Sequence, residues 1–301
     1  MKTVALVTGA TGFVGYHLCK WLYENDYHVI ANGINGENKP LCHDLHLSPL
    51  NHLPFDKMPK IDICFHQAAN NDTTESSYEK MYETNVSHSS TLFRKLLQEN
   101  NCKNFVYASS CSIYGDRPIP FNEIETEPKP LNPYAVSKLE FENFANDFAA
   151  LNGVKTIGLR YTNVYGPFEC HKGKRASMIS QLLSKIEQGE NPILFKNGEQ
   201  MRDWIYVADV VRANVLASKA NAQGIYNVGY SIPYSFNSLV RMICEKLNKK
   251  VEIQYIDCPF LDKYQSHTSV DISRSRMDLG FMPRWSIREV LPEMIQQKNR
   301  S

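Results

Sequence analysis

The chain has 301 residues, of which 43% are hydrophobic and 22% charged, as in a globular protein with one large domain or two smaller ones. Its 33 Lys and Arg residues nearly balance 32 Asp and Glu residues, so charge gives no reason to expect nucleic acid or an anionic membrane as a partner. The eight cysteines form no C-x-x-C pair, and no apolar run reaches the roughly 18 residues of a membrane span, so neither a metal site nor a membrane helix is predicted. We expect a cytoplasmic protein with reduced thiols, because the first residues run into a strand-like stretch rather than a signal peptide.

The predicted elements alternate between strands and helices through the first half of the chain. Strands are predicted at 3–7, 29–31, 61–65, 105–108 and 156–159, and helices at about 13–24, 78–99 and 133–151. This alternation predicts βαβ units and therefore an α/β fold, a Rossmann-type doubly wound parallel sheet. We assign residues 1–165 to a dinucleotide-binding domain.

The pattern changes after Gly166, where glycine, proline and basic residues cluster as far as Arg175. We expect residues 166–203 and 231–301 to form a smaller, mixed α/β lobe that binds the substrate. The intervening stretch, about 204–230, contains two apolar runs, and we expect it to rejoin the main sheet.

A glycine-rich turn, G-x-x-G-x-x-G, lies between the first predicted strand and the first predicted helix. Gly9 permits a tight turn, Gly12 lets the backbone approach a pyrophosphate, and Gly15 allows close packing of helix on strand. The helix N-terminus adds N–H donors for phosphate. A glycine-rich turn without a ligand is the alternative, but the position after the first strand of a βαβ unit favours a dinucleotide site, made of Gly9, Thr11, Gly12, Phe13, Val14 and Gly15.

A tyrosine and a lysine, Tyr134 and Lys138, stand four residues apart at the start of a predicted helix that Asn132 would cap. This spacing places both side chains on one helix face, where the lysine cation favours the phenolate and lowers the pKa of the tyrosine. Such a tyrosine can exchange a proton with a sugar hydroxyl. Chance Y-x-x-x-K pairs on a protein surface are common, so the assignment needs support from a second motif.

Ser110 supplies that support, because it ends a predicted strand 24 residues before Tyr134. In open α/β sheets ligands bind at the carboxyl ends of strands, so Ser110 would face the same crevice and hydrogen-bond the reacting sugar oxygen. The alternative is a serine that merely caps the following turn.

These motifs, in this order and spacing, resemble the extended short-chain dehydrogenase/reductase family of epimerases and dehydratases. Nearly the whole chain takes part, including the stretches 66–69, 159–167, 202–210 and 226–229. The resemblance implies an enzyme that oxidises a nucleotide-sugar with a bound nicotinamide, and it implies a homo-oligomer. Besides the glycine turn, it implies cofactor contacts at Asn32, Lys39, Asp44, Gln67, Ala68, Ala69, Asn85, Tyr134, Lys138 and Tyr161.

Within the family, four stretches resemble the ADP-glycero-manno-heptose 6-epimerases: 72–75, 169–177, 194–203 and 263–266. That resemblance implies an epimerase that oxidises an ADP- or other NDP-activated heptose to a ketone and returns hydride to the opposite face. It adds Lys172 to the catalytic set of Ser110, Tyr134 and Lys138, as a second acid/base for the isomer whose hydroxyl points away from Tyr134. The chain departs from the pattern at Cys170 and at Lys174-Arg175. The implied substrate contacts are Ser110, Asn163, His171, Arg202 and Tyr264, with Arg202 on the diphosphate.

The choice of cofactor depends on the end of the second strand, where NAD-binding proteins usually carry an acid. Here Ala31-Asn32-Gly33 has no carboxylate, which favours NADP, as does the resemblance to the heptose epimerases. The first arginine of the chain is Arg94, so Lys39 and asparagines would have to hold a 2′-phosphate; NAD remains an alternative.

The same residues leave other functions as alternatives. A UDP-hexose or UDP-N-acetylhexosamine 4-epimerase needs only Ser110, Tyr134 and Lys138 and is the main alternative. An NDP-ketosugar epimerase-reductase would use a thiol, and Cys111 lies close to the expected place. A dehydratase is disfavoured, because Cys111-Ser112 replace the Asp-Glu pair that dehydratases of the family carry, and a non-enzymatic dinucleotide sensor has no use for the catalytic set.

Overall fold

The computed structural model describes residues 2–35, 38–258 and 265–298. The strands in the described residues are β1 Val4–Thr8, β2 His28–Gly33, β3 Asp44–Leu47, β4 Ile63–His66, β5 Asn104–Ser110, β6 Lys155–Tyr161, β7 Asn163–Tyr165, β8 Ile193–Phe195, β9 Met201–Tyr206, β10 Gly224–Val228, β11 Pro233–Ser235 and β12 Gln254–Ile256. The helices are α1 Phe13–Glu24, α2 Tyr78–Tyr82, α3 His88–Asn100, α4 Pro133–Asn152, α5 Met178–Glu187, α6 Val207–Lys219, α7 Phe236–Leu247, α8 Ser273–Leu279 and α9 Ile287–Lys298.

Seven strands form one parallel sheet in the order β10-β6-β5-β4-β1-β2-β3. The chain runs outward from β1 through β2 to β3 and then returns to place β4 on the other side of β1. The carboxyl ends of β1 and β4 therefore flank the switch point at which ligands bind in doubly wound sheets. The predicted Rossmann-type α/β fold is confirmed.

Helices cover both faces of this sheet, as the apolar strands require. Successive residues of β1 point to opposite faces: Ala5 and Val7 pack in a core with α1 and α6, whereas Leu6 packs in a core with α3 and α4. Side chains at the carboxyl edge are thus held by a sheet that is packed on both sides.

A smaller mixed sheet, β11-β9-β7, stands beside the main one. Its strand β9 pairs in parallel with β7 and antiparallel with β11, and a third core formed largely by α5, α7 and α9 covers it. Of the two apolar runs within 204–230, only the second joins the main sheet, as β10; the first ends β9 of the small sheet and continues into α6. No helix among the described residues is long and apolar enough to cross a membrane.

Candidate active site

The glycine turn joins β1 to α1 and has the shape that a phosphate needs. Gly9 has φ +65°, and a Cβ there would lie 2.6 Å from the backbone nitrogen of Ala68. A Cβ on Gly15 would collide with the carbonyl of Gly9, so this position must also remain glycine. Gly12 precedes α1 without any side-chain cap, which leaves the first N–H groups of the helix available to an anion. These residues fit the pyrophosphate of a dinucleotide.

The first helix residues, Phe13 and Val14, turn their side chains away from this cradle. Phe13 is buried in the core of the smaller sheet, and Val14 packs against that core and the core on the α1 face. Only their backbone groups remain for a phosphate, which is the use that the sequence predicts.

The end of β2 carries amides rather than an acid. Asn32 is buried and its amide donates to the carbonyls of His46 and Ser48 at 3.1 and 2.9 Å. Beside it Thr11 occupies the space that a side chain on Gly33 would need, since a Cβ there would lie 2.5 Å from the Thr11 side chain. Lys39 is exposed on the loop that follows. In the part of the loop that the structure describes, which omits residues 36 and 37, no carboxylate faces this end of β2.

Asp44 is a correction to the predicted cofactor contacts. It begins β3, pairs in register with Ile30, and its carboxylate lies 3.0 Å from Nε2 of His28, the first residue of β2. The carboxyl end of β3 is three residues further on, at Leu47, or about 10 Å along a strand. Asp44 therefore lies away from the edge that binds the ligand.

Asn85 is a second correction. Its amide exchanges hydrogen bonds with the backbone of Asn70 and donates to Ser137 Oγ at 3.0 Å, and Ser137 Oγ in turn donates to the carbonyl of Tyr134. Asn85 is buried in a π-helical turn, Glu83–Ser87, that interrupts the single helix predicted for 78–99. Its polar atoms hold the first turn of α4 and are not left for a cofactor.

Two side-chain amides and a phenol form a hydrogen-bonded network at the carboxyl edge. Tyr161 donates to Gln67 Oε1 at 3.1 Å, and Asn214 of α6 donates to the Tyr161 oxygen at 2.8 Å. Gln67 also donates to Asn214 at 2.9 Å. Ala68 and Ala69, which follow β4, are half-buried beside Gly9. The predicted contacts Gln67, Ala68, Ala69 and Tyr161 thus share one wall of the crevice, and Asn214, which the sequence did not indicate, ties two of them together.

Ser110, Tyr134 and Lys138 are brought together as their spacing predicts. Ser110 is the last residue of β5, and its hydroxyl accepts a hydrogen bond from Ser112 N at 3.2 Å. Tyr134 lies in the first turn of α4, which Asn132 caps. Lys138 is buried, donates to the carbonyl of Ala108 at 2.9 Å, and has Nζ 5.9 Å from the centre of the Tyr134 ring.

Burial acts on both titrating groups of this set, in opposite directions. It raises the pKa of Tyr134 to about 12, while hydrogen bonding to Ser110 opposes the rise. It lowers the pKa of Lys138 to about 8, and the carboxylate of Glu142 opposes that fall. The phenol is therefore protonated near neutral pH, and Ser110 and the lysine cation are the groups that favour its ionisation.

Lys172, the predicted second acid/base, forms an ion pair in the structure. Its Nζ lies 3.2 Å from Oε2 of the buried Glu169 and 4.7 Å from the centre of the Phe13 ring. The ion pair with a buried carboxylate holds the lysine side chain in one place, which favours a contact with the substrate diphosphate over the role of a second base.

Two of the predicted substrate contacts lie on the small sheet. Asn163 of β7 donates to the carbonyl of Asp203 at 3.0 Å, and Arg202 of β9 donates to the carbonyls of Met201 and Ser266 at 2.9 and 3.0 Å. Tyr264 lies outside the described residues, as does the side chain of His171.

Cys111 is buried directly after Ser110, and burial raises the pKa of its thiol to about 12. A thiol of that pKa stays protonated near pH 7, which argues against the thiolate chemistry of an epimerase-reductase.

Two buried carboxylates near the site were missed by sequence reasoning. Glu142 lies four residues after Lys138 and pairs with Arg160, and this spacing was a signal that could have revealed it. Glu169 had a weaker signal: Lys172 lies three residues on, but Ser177 and Ser180, which supply three of its hydrogen bonds, lie eight and eleven residues away.

Known proteins match this chain along most of its length. Residues 5–229 match the model of the NAD dependent epimerase/dehydratase family. A UDP-N-acetylglucosamine 4-epimerase from Methanobrevibacter ruminantium is similar over 100% of this chain and 99% of its own, with 28% identity and a TM-score of 0.91.

Two further solved structures are similar. The ADP-L-glycero-D-manno-heptose-6-epimerase of Helicobacter pylori has 31% identity and a TM-score of 0.86, over 100% of this chain and 97% of its own. A UDP-glucose 4-epimerase from Thermotoga maritima has 27% identity and a TM-score of 0.90, over 99% of each chain. With a family match across most of its length and a glycine turn, serine, tyrosine and lysine gathered at one sheet edge, this chain belongs to the NAD-dependent epimerase/dehydratase family.

Proposed function

We propose that this protein is a nucleotide-sugar epimerase that inverts a carbinol centre by transient oxidation to a ketone. The observation that carries the proposal is the set of Ser110, Tyr134 and Lys138 at the carboxyl end of β5 and the start of α4, in a sheet whose glycine turn fits a pyrophosphate. A bound nicotinamide would accept hydride from the carbinol carbon and return it to the other face.

In the proposed mechanism the chain's own residues hold the substrate and move a proton. The Ser110 hydroxyl hydrogen-bonds the reacting sugar oxygen. Tyr134, once its phenol has ionised, takes the proton of the sugar hydroxyl as a phenolate and later returns it. The Lys138 cation favours the phenolate during this exchange. Arg202 provides donors for the nucleotide diphosphate, Asn163 is a further substrate contact, and Gln67 and Tyr161 would line the site of the nicotinamide.

For the sugar, we propose an ADP- or other NDP-activated heptose, with a UDP-hexose or UDP-N-acetylhexosamine as the second candidate. The four sequence stretches and the 31% identity to a heptose 6-epimerase support the first. The ion pair of Lys172 with Glu169 favours the second, because a 4-epimerase needs no second base. Activity assays with ADP-glycero-manno-heptose and with UDP-glucose decide between them: turnover of the UDP-sugar alone would reject the heptose.

For the cofactor, we propose NADP in preference to NAD. Thr11 and the exposed Lys39 would be the contacts of a 2′-phosphate, since both amide hydrogens of Asn32 are taken by backbone carbonyls, and the described residues at the end of β2 include no carboxylate. Calorimetric titration of cofactor-free protein should give a lower Kd for NADP, and mass spectrometry of the denatured protein should find NADP released. A lower Kd for NAD would contradict this choice. We also propose a homo-oligomer, which sedimentation equilibrium tests.

A further inference from the structure

A buried ion pair lies directly behind the candidate catalytic set. Glu142 of α4 and Arg160 of β6 are 2% and 5% exposed. Arg160 Nε donates to Glu142 Oε1 at 2.9 Å and Arg160 Nη2 to Oε2 at 2.6 Å, so the pair is bidentate. Because both side chains are buried, the ion pair cannot contact a sugar. It can act on the reaction only through the residues that it contacts.

Those neighbours flank Ser110 on both sides. Ser109 Oγ donates to Glu142 Oε1 at 2.5 Å, and Lys138 donates to the carbonyl of Ala108. The two residues that precede Ser110 in β5 are thus each bonded to a charged group of α4.

The arginine end of the pair holds the segment that follows Ser110. Arg160 Nη1 donates to the hydroxyl of Tyr114 at 2.7 Å, and Tyr114 lies in the short helix Cys111–Tyr114. That hydroxyl donates in turn to Asn227 of β10 at 2.8 Å. Ser110 is therefore fixed from both directions, relative to the helix that carries Tyr134.

Glu142 also acts on Lys138 by its charge. Tyr134, Lys138 and Glu142 recur every four residues and share one face of α4. Burial lowers the pKa of Lys138, and the Glu142 carboxylate opposes this effect. The other titratable groups facing the lysine are the Tyr134 phenol and, from β4, the buried His66, whose pKa is lowered by burial and by the lysine itself. Arg160 of β6 is linked to the lysine only through its ion pair with Glu142.

We propose that Glu142 is a positioning residue of the reaction: with Arg160 it fixes Ser110 relative to Tyr134, and it places a carboxylate one helical turn from Lys138 on the same face of α4. This inference rests on the proposed function for its kinetic part, whereas its electrostatic part can be measured without any substrate.

The first test is Glu142→Gln, with Asp147→Asn as the control that removes a charge from an exposed position of the same helix. Without the carboxylate, the pKa of Lys138 falls, so the charged form is lost at lower pH. NMR titration of protein labelled with 13Cε-lysine should show the Lys138 inflection about one pH unit lower in the variant and unchanged in the control. The basic limb of the pH–kcat profile should move by the same amount. An unchanged inflection would overturn the electrostatic part.

A second variant, Ser109→Ala, removes the hydrogen bond between β5 and Glu142 but leaves the ion pair of Glu142 with Arg160 intact. It should therefore fold even if Glu142→Gln does not. We expect kcat to fall about tenfold and KM to change less than about twofold, because a misplaced catalytic group lowers kcat. The basic limb of the pH–kcat profile should stay where it is in the wild type. Wild-type kcat in Ser109→Ala would overturn the positioning part. If the wild type turns over no nucleotide-sugar, the proposed function fails, and the lysine titration still decides the link between Glu142 and Lys138.

Discussion

Tyr134 is placed where it is hard to ionise. Its phenol has a pKa of about 12 because burial penalises the anion, and the reaction proposed here requires that it give up its proton. Two neighbours reduce this penalty: Ser110 donates a hydrogen bond, and Lys138 adds a cation 5.9 Å from the ring. The dependence of one residue on two others explains why the motif is spread over 29 positions of the chain, from Ser110 to Lys138.

We expect Tyr134→Phe to lower kcat by about 100-fold or more, because it removes a general acid–base and leaves the ring in place. Cofactor binding should persist, since the glycine turn is untouched. Steady-state turnover and calorimetric titration with NADP measure the two effects. Tyr23→Phe, at an exposed tyrosine, is the control. More than about a tenth of wild-type turnover in Tyr134→Phe would refute the assignment.

Sequence spacing was sufficient to predict two kinds of site residue: those whose neighbours are close in the sequence, and those that stand at the end of a strand of the parallel sheet. Ser110 and the pair Tyr134–Lys138 belong to these kinds. Asp44 and Asn85 do not, because a resemblance gives a residue type at a position but not the direction of its side chain. Asp44 turned out to pair with His28, and Asn85 with the backbone of Asn70.

At the scale of elements, the segment from Gly166 to Ser180 is held by one carboxylate. Glu169 accepts from Ser177 N at 2.6 Å, Ser177 Oγ at 2.8 Å and Ser180 Oγ at 2.9 Å, in addition to Gly166 N and Lys172. Composition identified this stretch as a loop. The part that Glu169 plays in ordering this segment was not predictable, because the groups that donate hydrogen bonds to its carboxylate come together only in the folded chain.

The next prediction concerns Lys172 within this anchored segment. If it is a charged phosphate contact, Lys172→Met should raise the KM of the nucleotide-sugar about tenfold and leave kcat within about threefold in both directions. The other donors to Glu169 should keep the segment folded. Kinetics in both directions, with Lys57→Met as a control at a lysine outside the site, measure this. A loss of kcat confined to one direction would instead support the second acid/base.

Strand partners are a further property that sequence did not determine at this scale. The alternation of strands and helices predicted the parallel sheet, but Ile205 lies in a strand of the small sheet, whereas Ile225 lies in the main one. Both runs are short and apolar, so their composition does not distinguish the sheet that each one joins.

At the scale of the whole molecule, stability depends on a histidine buried without charge. His66 ends β4, and its ring nitrogens lie 2.7 Å from Thr8 Oγ1 and 2.8 Å from Ser89 Oγ. Burial, aided by the Lys138 cation, lowers the pKa of His66 from 6.5 to about 3. In the unfolded chain His66 therefore binds a proton below about pH 6.5, whereas in the folded chain it does so only below about pH 3. The folded state loses stability as the pH falls through this window.

We expect His66 to contribute about 2 kcal/mol to the loss of unfolding free energy between pH 7 and pH 5. The side chain of His66→Gln does not titrate. In this variant the unfolding free energy should therefore fall by that much less between pH 7 and pH 5, even if the variant is less stable at both. Urea unfolding at each pH gives the free energies. His52→Gln, outside the core, is the control. An equal difference in wild type and His66→Gln would contradict the assignment.

The path of the chain between the two sheets restricts how such an enzyme can be recombined. After β6 the backbone leaves the seven-stranded sheet to build β7 and β9, returns for β10, and leaves again for β11. The Asp203 carboxylate reinforces this interleaving, because it accepts from the backbone nitrogens of Tyr230 and Ser231, which follow β10, at 2.8 and 2.9 Å. A single genetic crossover therefore cannot exchange the small sheet alone for that of a relative: a chimaera that keeps β10 must be joined on both sides of it.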